Sequence, residues 1–450
     1  MKRKKGLFLL LIFAGIVSAC TALVVDNGVN TVALWAKTYG GTNSDYVSSI
    51  AQTSDGGYVI AGYTQSFGAG LFDIMVIKLD GTGAITWQKT YGGTNNDFVS
   101  SIAQTSDGGY VIAGNTYSFG SGGSDAWILK LDGIGAITWQ KTFGETNYDS
   151  IYSIAQSSDS GYIITGSTYS FGSGGSDAWI LKLDGTGAIT WQKTFGGTNN
   201  DYANMVVQTS DSGYIIAGST YSFGSGGFDA WIIKLDGSGS TNWQKIYGGT
   251  NQEHAKSVAQ TSDGGYVLAG QTMSYGTGYY DAWILKLDGT GAITWQKTYG
   301  STLNDEAISV MQTSDGGYLI GGKTYYFGAG DSDLWLFKLD STGAVTWEKT
   351  YGGTNTETFR SFKTTSDGKY IVAGLTQSFG AGLYDYWVFK SDVNGNLSGA
   401  GFVNNSSASV SNSAATVGNT TNDGVNSAAT VGDTAVTGVN SSAIIDVQYP

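Results

Sequence analysis

The sequence predicts an all-β protein, a seven-bladed β-propeller with four antiparallel strands per blade, on three observations. Tryptophan recurs at positions 35, 87, 139, 191, 243, 295 and 347, an unbroken interval of 52 residues. Each interval holds four β-branched and aromatic stretches separated by glycine-rich turns, the pattern of one propeller blade. Gly occurs 69 times and Pro once, and no window shows the apolar period of a helix, which glycine at this density would weaken.

The elements follow in chain order. Lys2, Arg3, Lys4 and Lys5 precede an apolar run from Leu7 to Val17 and then Ser18, Ala19 and Cys20, the layout of a cleaved export signal over residues 1–19. The run is too short for a convincing membrane span. Cys20 is the only cysteine, so an internal disulfide and a cysteine-built metal site are excluded, and the simplest use of its thiol is to carry acyl chains. Residues 20–28 read as a short linker and residues 29–397 as the propeller. A complete copy runs from Gly135 through Trp139 to Phe143, then Ser150 to Gln156, the turn Ser157 to Gly161, Tyr162 to Thr168, and Asp177 to Leu183.

The copies do not start at a blade boundary. The Trp strand around Val32 to Tyr39 precedes the first three-strand set at 45–80, whereas the last set, 357–392, is followed by none. The amino-terminal strand is therefore expected to become the outer strand of the last blade, closing the ring and removing an open sheet edge. The other six tryptophans, Trp127, Trp179, Trp231, Trp283, Trp335 and Trp387, share one position in the third strand, where the first copy has Met75. Two fixed positions inside strands suit the filling of space between blades. Residues 398–450 turn to Ser, Ala, Asn, Thr, Val and Gly and read as a low-complexity, loosely attached tail.

Removing the four basic residues of the signal takes the formal net charge from −13 to −17. No basic field remains to attract phosphate, so nucleic acid and anionic lipid headgroups are poor partners. Much of the acidity is architectural: the positions of Asp45, Asp55, Asp73 and Asp80 are acidic in every copy and account for 28 of the 36 Asp and Glu.

Two resemblances extend this reading. Val17-Ser18-Ala19-Cys20 resembles the bacterial lipoprotein signal, which implies that Cys20 becomes the lipidated first residue. Thr21 after it implies the outer membrane if the cell has one. The turn Thr53-Ser-Asp55-Gly-Gly57 is similar to part of the Asp-box of sialidases and other propellers, in which the aspartate holds a hairpin. The downstream aromatic of the box is missing here, and Lys369 stands where the last copy should have Gly. That likeness implies a propeller and carries no sialidase chemistry. More broadly, the units resemble the Trp-x-Lys-Thr-Tyr-Gly-Gly and Thr-Ser-Asp-Gly-Gly-Tyr repeats of secreted bacterial and archaeal propeller lipoproteins, loosely related to quinoprotein-like and kelch-like propellers, over about residues 30–395.

Catalytic residues are not predicted. With His254 as the one histidine, a nucleophilic triad would have to converge on a single side chain. Two carboxylates could hydrolyse a glycoside, but acid and nucleophile need different environments, and most acidic residues here are sevenfold. No cofactor is predicted. The acidic ring Asp45, Asp97, Asp149, Asp201, Glu253, Asp305 and Glu357 leaves Ca2+ open, without EF-hand spacing or a histidine cluster behind it. Charges left over by the template concentrate in the last three blades. His254, Lys256, Glu306 and Arg360 sit near the start of first strands, and with the loop residues Tyr279, Tyr280 and Asp331 they are the predicted binding patch at one mouth of the channel. The alternative for Lys256 and Glu306 is a surface salt bridge. The expected function is a non-catalytic, monomeric, envelope-anchored propeller that recognises a protein or glycan and meets the membrane only through its lipid. The rivals are a polysaccharide-active enzyme and a surface adhesin or structural protein.

Overall fold

The computed structural model describes residues 34–397 and, beyond them, the backbone of 403–405, 409–412, 416–419 and 446–447. The signal segment 1–19, Cys20, the linker 20–28 and the rest of the tail lie outside the described residues.

The protein is a seven-bladed β-propeller. In the first blade the innermost strand Asp45–Gln52 pairs with Tyr58–Thr64, that with Asp73–Leu79, and that with the outer strand Ile85–Tyr91, all antiparallel. The last blade takes its inner three strands from Glu357–Thr364, Tyr370–Thr376 and Asp385–Ser391 and its outer strand from the chain start, Trp35–Tyr39. Trp35 lies opposite Lys390 and Tyr39 opposite Tyr386, so the register runs the full length of the short strand. The expected closure is present. Trp35, Val388 and Ile371 of the last blade share one core with Ile50, Ile60 and Ile77 of the first.

Third strands carry the greatest burial because both faces meet a neighbour. Asp125–Leu131 is buried at every position, and its Trp127 packs with Val76 and Ala61 of the preceding blade. The outer-strand tyrosines add hydrogen bonds between blades: Tyr91 Oη donates to Gly135 O at 2.6 Å, and Tyr39, Tyr247, Tyr299 and Tyr351 repeat the bond 44 residues ahead.

The acidic turn holds its hairpin as the sequence suggests. Asp55 accepts from Gly57 N at 3.0 Å, from Thr53 Oγ1 at 2.5 Å and from Lys78 Nζ at 2.8 Å. Gly56 has φ +80°, a left-handed conformation natural to glycine, and in two copies Ser160 and Ser212 adopt it at φ 64°. Every innermost strand also carries one extra residue between the positions of Val47 and Ser49, a β-bulge that redirects that side chain.

Four short tail strands add a fifth strand to blades. Val403–Asn405, Ser409–Asn412 and Thr416–Asn419 lie against the outer strands of blades six, five and four, and Asp446–Val447 against that of blade one. Asn405, Asn412 and Asn419, seven residues apart, fall opposite Lys349, Lys297 and Lys245, which are 52 apart. One tail step therefore advances one blade.

Candidate binding face

The start of the innermost strand, the end of the second and the start of the third meet at one end of each blade. At that end the template positions of Tyr46, Tyr63 and Phe72 differ from blade to blade, while the frame around them is constant. The innermost series, for example, reads Tyr46, Phe98, Ser150, Tyr202, His254, Glu306 and Thr358. Constant residues hold the end in place: Asp45 accepts from Thr64 Oγ1, from Ser66 Oγ at 2.8 Å and from Gly41 N at 2.7 Å.

An aromatic arc fills the variable positions around blades seven, one and two. Tyr46 stacks on Tyr63 with centroids 5.1 Å apart and also lies 5.1 Å from Tyr384 across the ring closure. Tyr63 meets Phe98 at 5.0 Å, and Phe98 leads on to Tyr117 at 6.3 Å and then Tyr148. A second run joins Tyr202 to Phe228 at 5.7 Å and Phe228 to His254 at 5.2 Å. Ten of the fourteen exposed large apolar side chains among the described residues lie in the loops at this mouth, from Leu71 and Tyr117 to Tyr326 and Leu383.

The residues singled out from sequence are distributed over this mouth. His254 is the second residue of the innermost strand Glu253–Gln260, with Nδ1 3.1 Å from Ser219 Oγ of the preceding blade. Burial, and then the charge of Lys256, push its imidazole down to about 4, so it is neutral at neutral pH. Lys256 and Arg360 are the bulge residues of their strands. Glu306 lies opposite Lys323, whose Nζ sits 4.3 Å over the Tyr325 ring and donates to its hydroxyl at 2.8 Å. Tyr280 donates to Gln252 Oε1 at 2.9 Å and is edge-on to Tyr279, which is 67% exposed. Burial, followed by the charges of Tyr279 and Glu306, raises the Tyr280 phenol. Asp331 is exposed in its loop. Arg360 faces the other way around the ring, where its charge opposes the burial that raises Tyr63. Among the described residues no ion pair joins Lys256, Glu306 or Arg360 to a carboxylate or a base. The structure thus brings His254 to Lys256 and Tyr280 to Tyr279 and Glu306, and sets Arg360 beside the aromatic arc.

The arc itself, Tyr46, Tyr63, Phe72, Phe98 and Tyr384, is what sequence reasoning missed. The signal was available, because subtracting the repeat exposes variable aromatic positions as readily as variable charges.

The acidic ring of the innermost strands is engaged with Thr and Ser hydroxyls and backbone N–H groups, as at Asp97, Asp149 and Asp201 in three successive blades. Among the described residues no group of three or more His, Cys, Asp or Glu is placed to hold a metal ion. The geometry at the mouth supplies stacking surface together with neutral and charged hydrogen-bonding groups.

No family model matches the chain. The regulatory protein FlaEY of Caulobacter vibrioides is 26% identical over 164 residues, 31% of this chain and 17% of that protein. The match therefore spans under a fifth of that relative. Among solved structures, Sqt1 of Chaetomium thermophilum bound to the N-terminus of ribosomal protein L10 is similar at 13% identity and TM-score 0.49, covering 79% of this chain and 98% of that one. The Pan2 WD40 domain of Neurospora crassa is similar at 13% identity and TM-score 0.49, covering 79% and 91%.

Proposed function

We propose that the protein is a non-catalytic binding module that recognises a protein or glycan through the aromatic mouth of its propeller. It belongs in this reading with the secreted propeller lipoproteins and is held at the cell envelope by lipid on Cys20. The observation that carries the proposal is the gathering of ten exposed large apolar side chains at one end of the ring, where Tyr46 stacks on Tyr63 and Phe98 meets Tyr63 edge-on. Aromatic side chains give large contact area at low entropic cost and dominate recognition sites. Their arrangement on rigid strand ends limits what binding must order. His254, Lys256, Glu306, Arg360 and Asp331 supply the polar rim.

The test is capture by the lipid-free chain against a glycan panel and envelope extracts, with Tyr46, Tyr63 and Phe98 replaced by Ala. A folded triple variant should lose capture. Undiminished capture would remove the mouth as the site. Anchoring is tested separately: Cys20→Ser should abolish acylation and membrane partitioning, and a variant that still partitions at the same mature mass refutes the lipid anchor.

A further inference from the structure

Six of the seven blade junctions carry the same two links at the end opposite the aromatic mouth. The last residue of an innermost strand, a glutamine, reaches back to the acidic turn of the preceding blade. Ser54 N donates to Gln104 Oε1 at 2.8 Å, and the bond recurs at Ser106 with Gln156, Ser158 with Gln208, Ser210 with Gln260, Ser262 with Gln312 and Ser366 with Gln52. In several of these junctions the glutamine Nε2 also donates to the serine hydroxyl, at 3.2 Å from Gln52 to Ser366. In the same six junctions the outer-strand Trp packs edge-on against a Tyr of the next blade, with centroids from 5.9 Å for Trp87 and Tyr110 to 6.1 Å for Trp191 and Tyr214.

The junction of blades six and seven has neither link. Thr364 stands where the others have glutamine, and its hydroxyl turns to Met311 Sδ at 3.4 Å. Among the described residues the Ser314 N–H therefore meets no carboxamide. Trp347 and Tyr370 do not form the edge-on pair, and the Trp347 indole N–H is buried without a hydrogen-bond partner. A cavity of about 410 Å³ opens here, lined by Ser314, Asp315, Lys338, Trp347, Thr364 and Tyr370 with their neighbours. Its charges cancel, since Lys338 is ion-paired with Asp315.

We propose that this cavity binds an uncharged ligand carrying a carboxamide, as an N-acetylated sugar or an amide side chain does. The ligand carbonyl would accept from Ser314 N–H, its amide N–H would donate to Ser314 Oγ, and its apolar face would lie on Trp347. It would thus make the contacts that glutamine makes at the other six junctions. The volume suits a small ligand, for which pockets run from about 300 to 1,000 Å³. The paired Asp315 and Lys338 give no advantage to a charged one. This site is separate from the mouth and independent of what the mouth binds.

Ligand-observed NMR on the lipid-free full chain tests it with three probes: N-acetylglucosamine, glucose, and the amide of N-acetylglutamine. An amide probe should bind at least tenfold more tightly than glucose. Thr364→Gln rebuilds the bridge of the other junctions, so it should melt higher than the parent while losing at least tenfold in amide binding. Trp347→Ala should lose binding as well, and the Ala variants at Tyr46, Tyr63 and Phe98 should keep it. Binding of N-acetylglucosamine alone identifies a sugar as the source of the amide, and binding of the glutamine derivative alone identifies a peptide side chain. Equal binding of glucose, no binding by either amide, or full binding by a folded Thr364→Gln protein overturns the proposal.

Discussion

Raising the pH from 5 to 6 should lower the melting temperature, because third-strand aspartates are protonated in the folded state. Asp177 is 2% exposed at the start of its strand. Burial, opposed by the N–H of Ser173 and reinforced by the charge of Asp201, raises its carboxyl to about 7. The two side chains converge across Gly196, where a Cβ would lie 1.8 Å from Asp177 Oδ1 and 2.7 Å from Asp201 Oδ2. Asp125 and Asp229 are likewise raised to about 7, and Asp281 and Asp333 to about 6, in each case chiefly by burial. An unfolded aspartate titrates near 3.9, roughly, so between these values the folded chain holds protons that the unfolded chain releases. The stability these groups contribute is complete below about pH 4 and is lost as the pH rises through 6 to 7. Each contributes about 1.4 kcal/mol per pH unit, so the three at about 7 together give roughly 4 kcal/mol between pH 5 and 6. At about 2.1 cal/mol/K per residue over roughly 360 ordered residues, that is a fall of about 5 °C. On the acid side the sign reverses. Partial burial pushes Asp55 up, but hydrogen bonds from Lys78, Thr53 and Gly57 outweigh it and hold the carboxyl at about 2, as at Asp107 and Asp159. That stability is present above about pH 4 and is lost as the pH falls toward 2. Calorimetric melting from pH 3 to 8 at fixed ionic strength should therefore peak near pH 4 to 5, roughly, and Asp177→Asn should lessen the alkaline slope by about 1.4 kcal/mol per unit. A parent melting temperature that is flat or rising between pH 5 and 7 refutes the reasoning.

Three further outcomes are expected. Ser160→Gly and Ser212→Gly relieve a left-handed backbone and should each raise stability by about 0.5–1 kcal/mol in denaturant unfolding, with a loss in both counting against the strain. Deleting residues 29–39 removes the outer strand of blade seven and leaves its edge open, so the product should aggregate; a monomer with unchanged melting would show that the strand does not close the ring. Ending the chain at residue 397 uncovers the outer strands of blades four, five and six, and amide hydrogen exchange at Lys245–Gly248, Lys297–Gly300 and Lys349–Tyr351 should accelerate, whereas unchanged exchange would mean that the tail strands do not cover them in solution.

The fold was legible because its information is local and repeated. Seven tryptophans at one interval set the blade, and the unmatched strand at Trp35–Tyr39 pointed to Asp385–Ser391 as its partner. The mouth was legible only in part. Weighing charges alone finds His254 and Glu306 but passes over Tyr46, Phe98 and Tyr202, which occupy the same template position. The raised carboxyl of Asp177 was not legible, because Asp201 belongs to the next blade and only the close approach at Gly196 brings the two together. The cavity at Thr364 was harder still. Its cause is one substitution, but its shape depends on the separation of Trp347 from Tyr370, which no spacing in the chain encodes.

The two ends of the ring depart from symmetry in physically different ways. At the mouth several departures bring their own compensation: Tyr46 stacks on Tyr63, His254 meets Ser219, Tyr152 meets Ser167 at 2.8 Å, and Asn204 Nδ2 donates to Ala255 O at 2.8 Å. Such positions can change from blade to blade at little cost, which is how a symmetric scaffold acquires an asymmetric surface. At the junction of blades six and seven the compensation is partial, since the Thr364 hydroxyl turns to Met311 Sδ but the glutamine bridge is gone and the Trp347 indole is left buried and unpaired. A buried donor without a partner costs about 1–3 kcal/mol. The six sibling junctions keep the glutamine bridge, so restoring glutamine at 364 should recover the stability that bridge contributes.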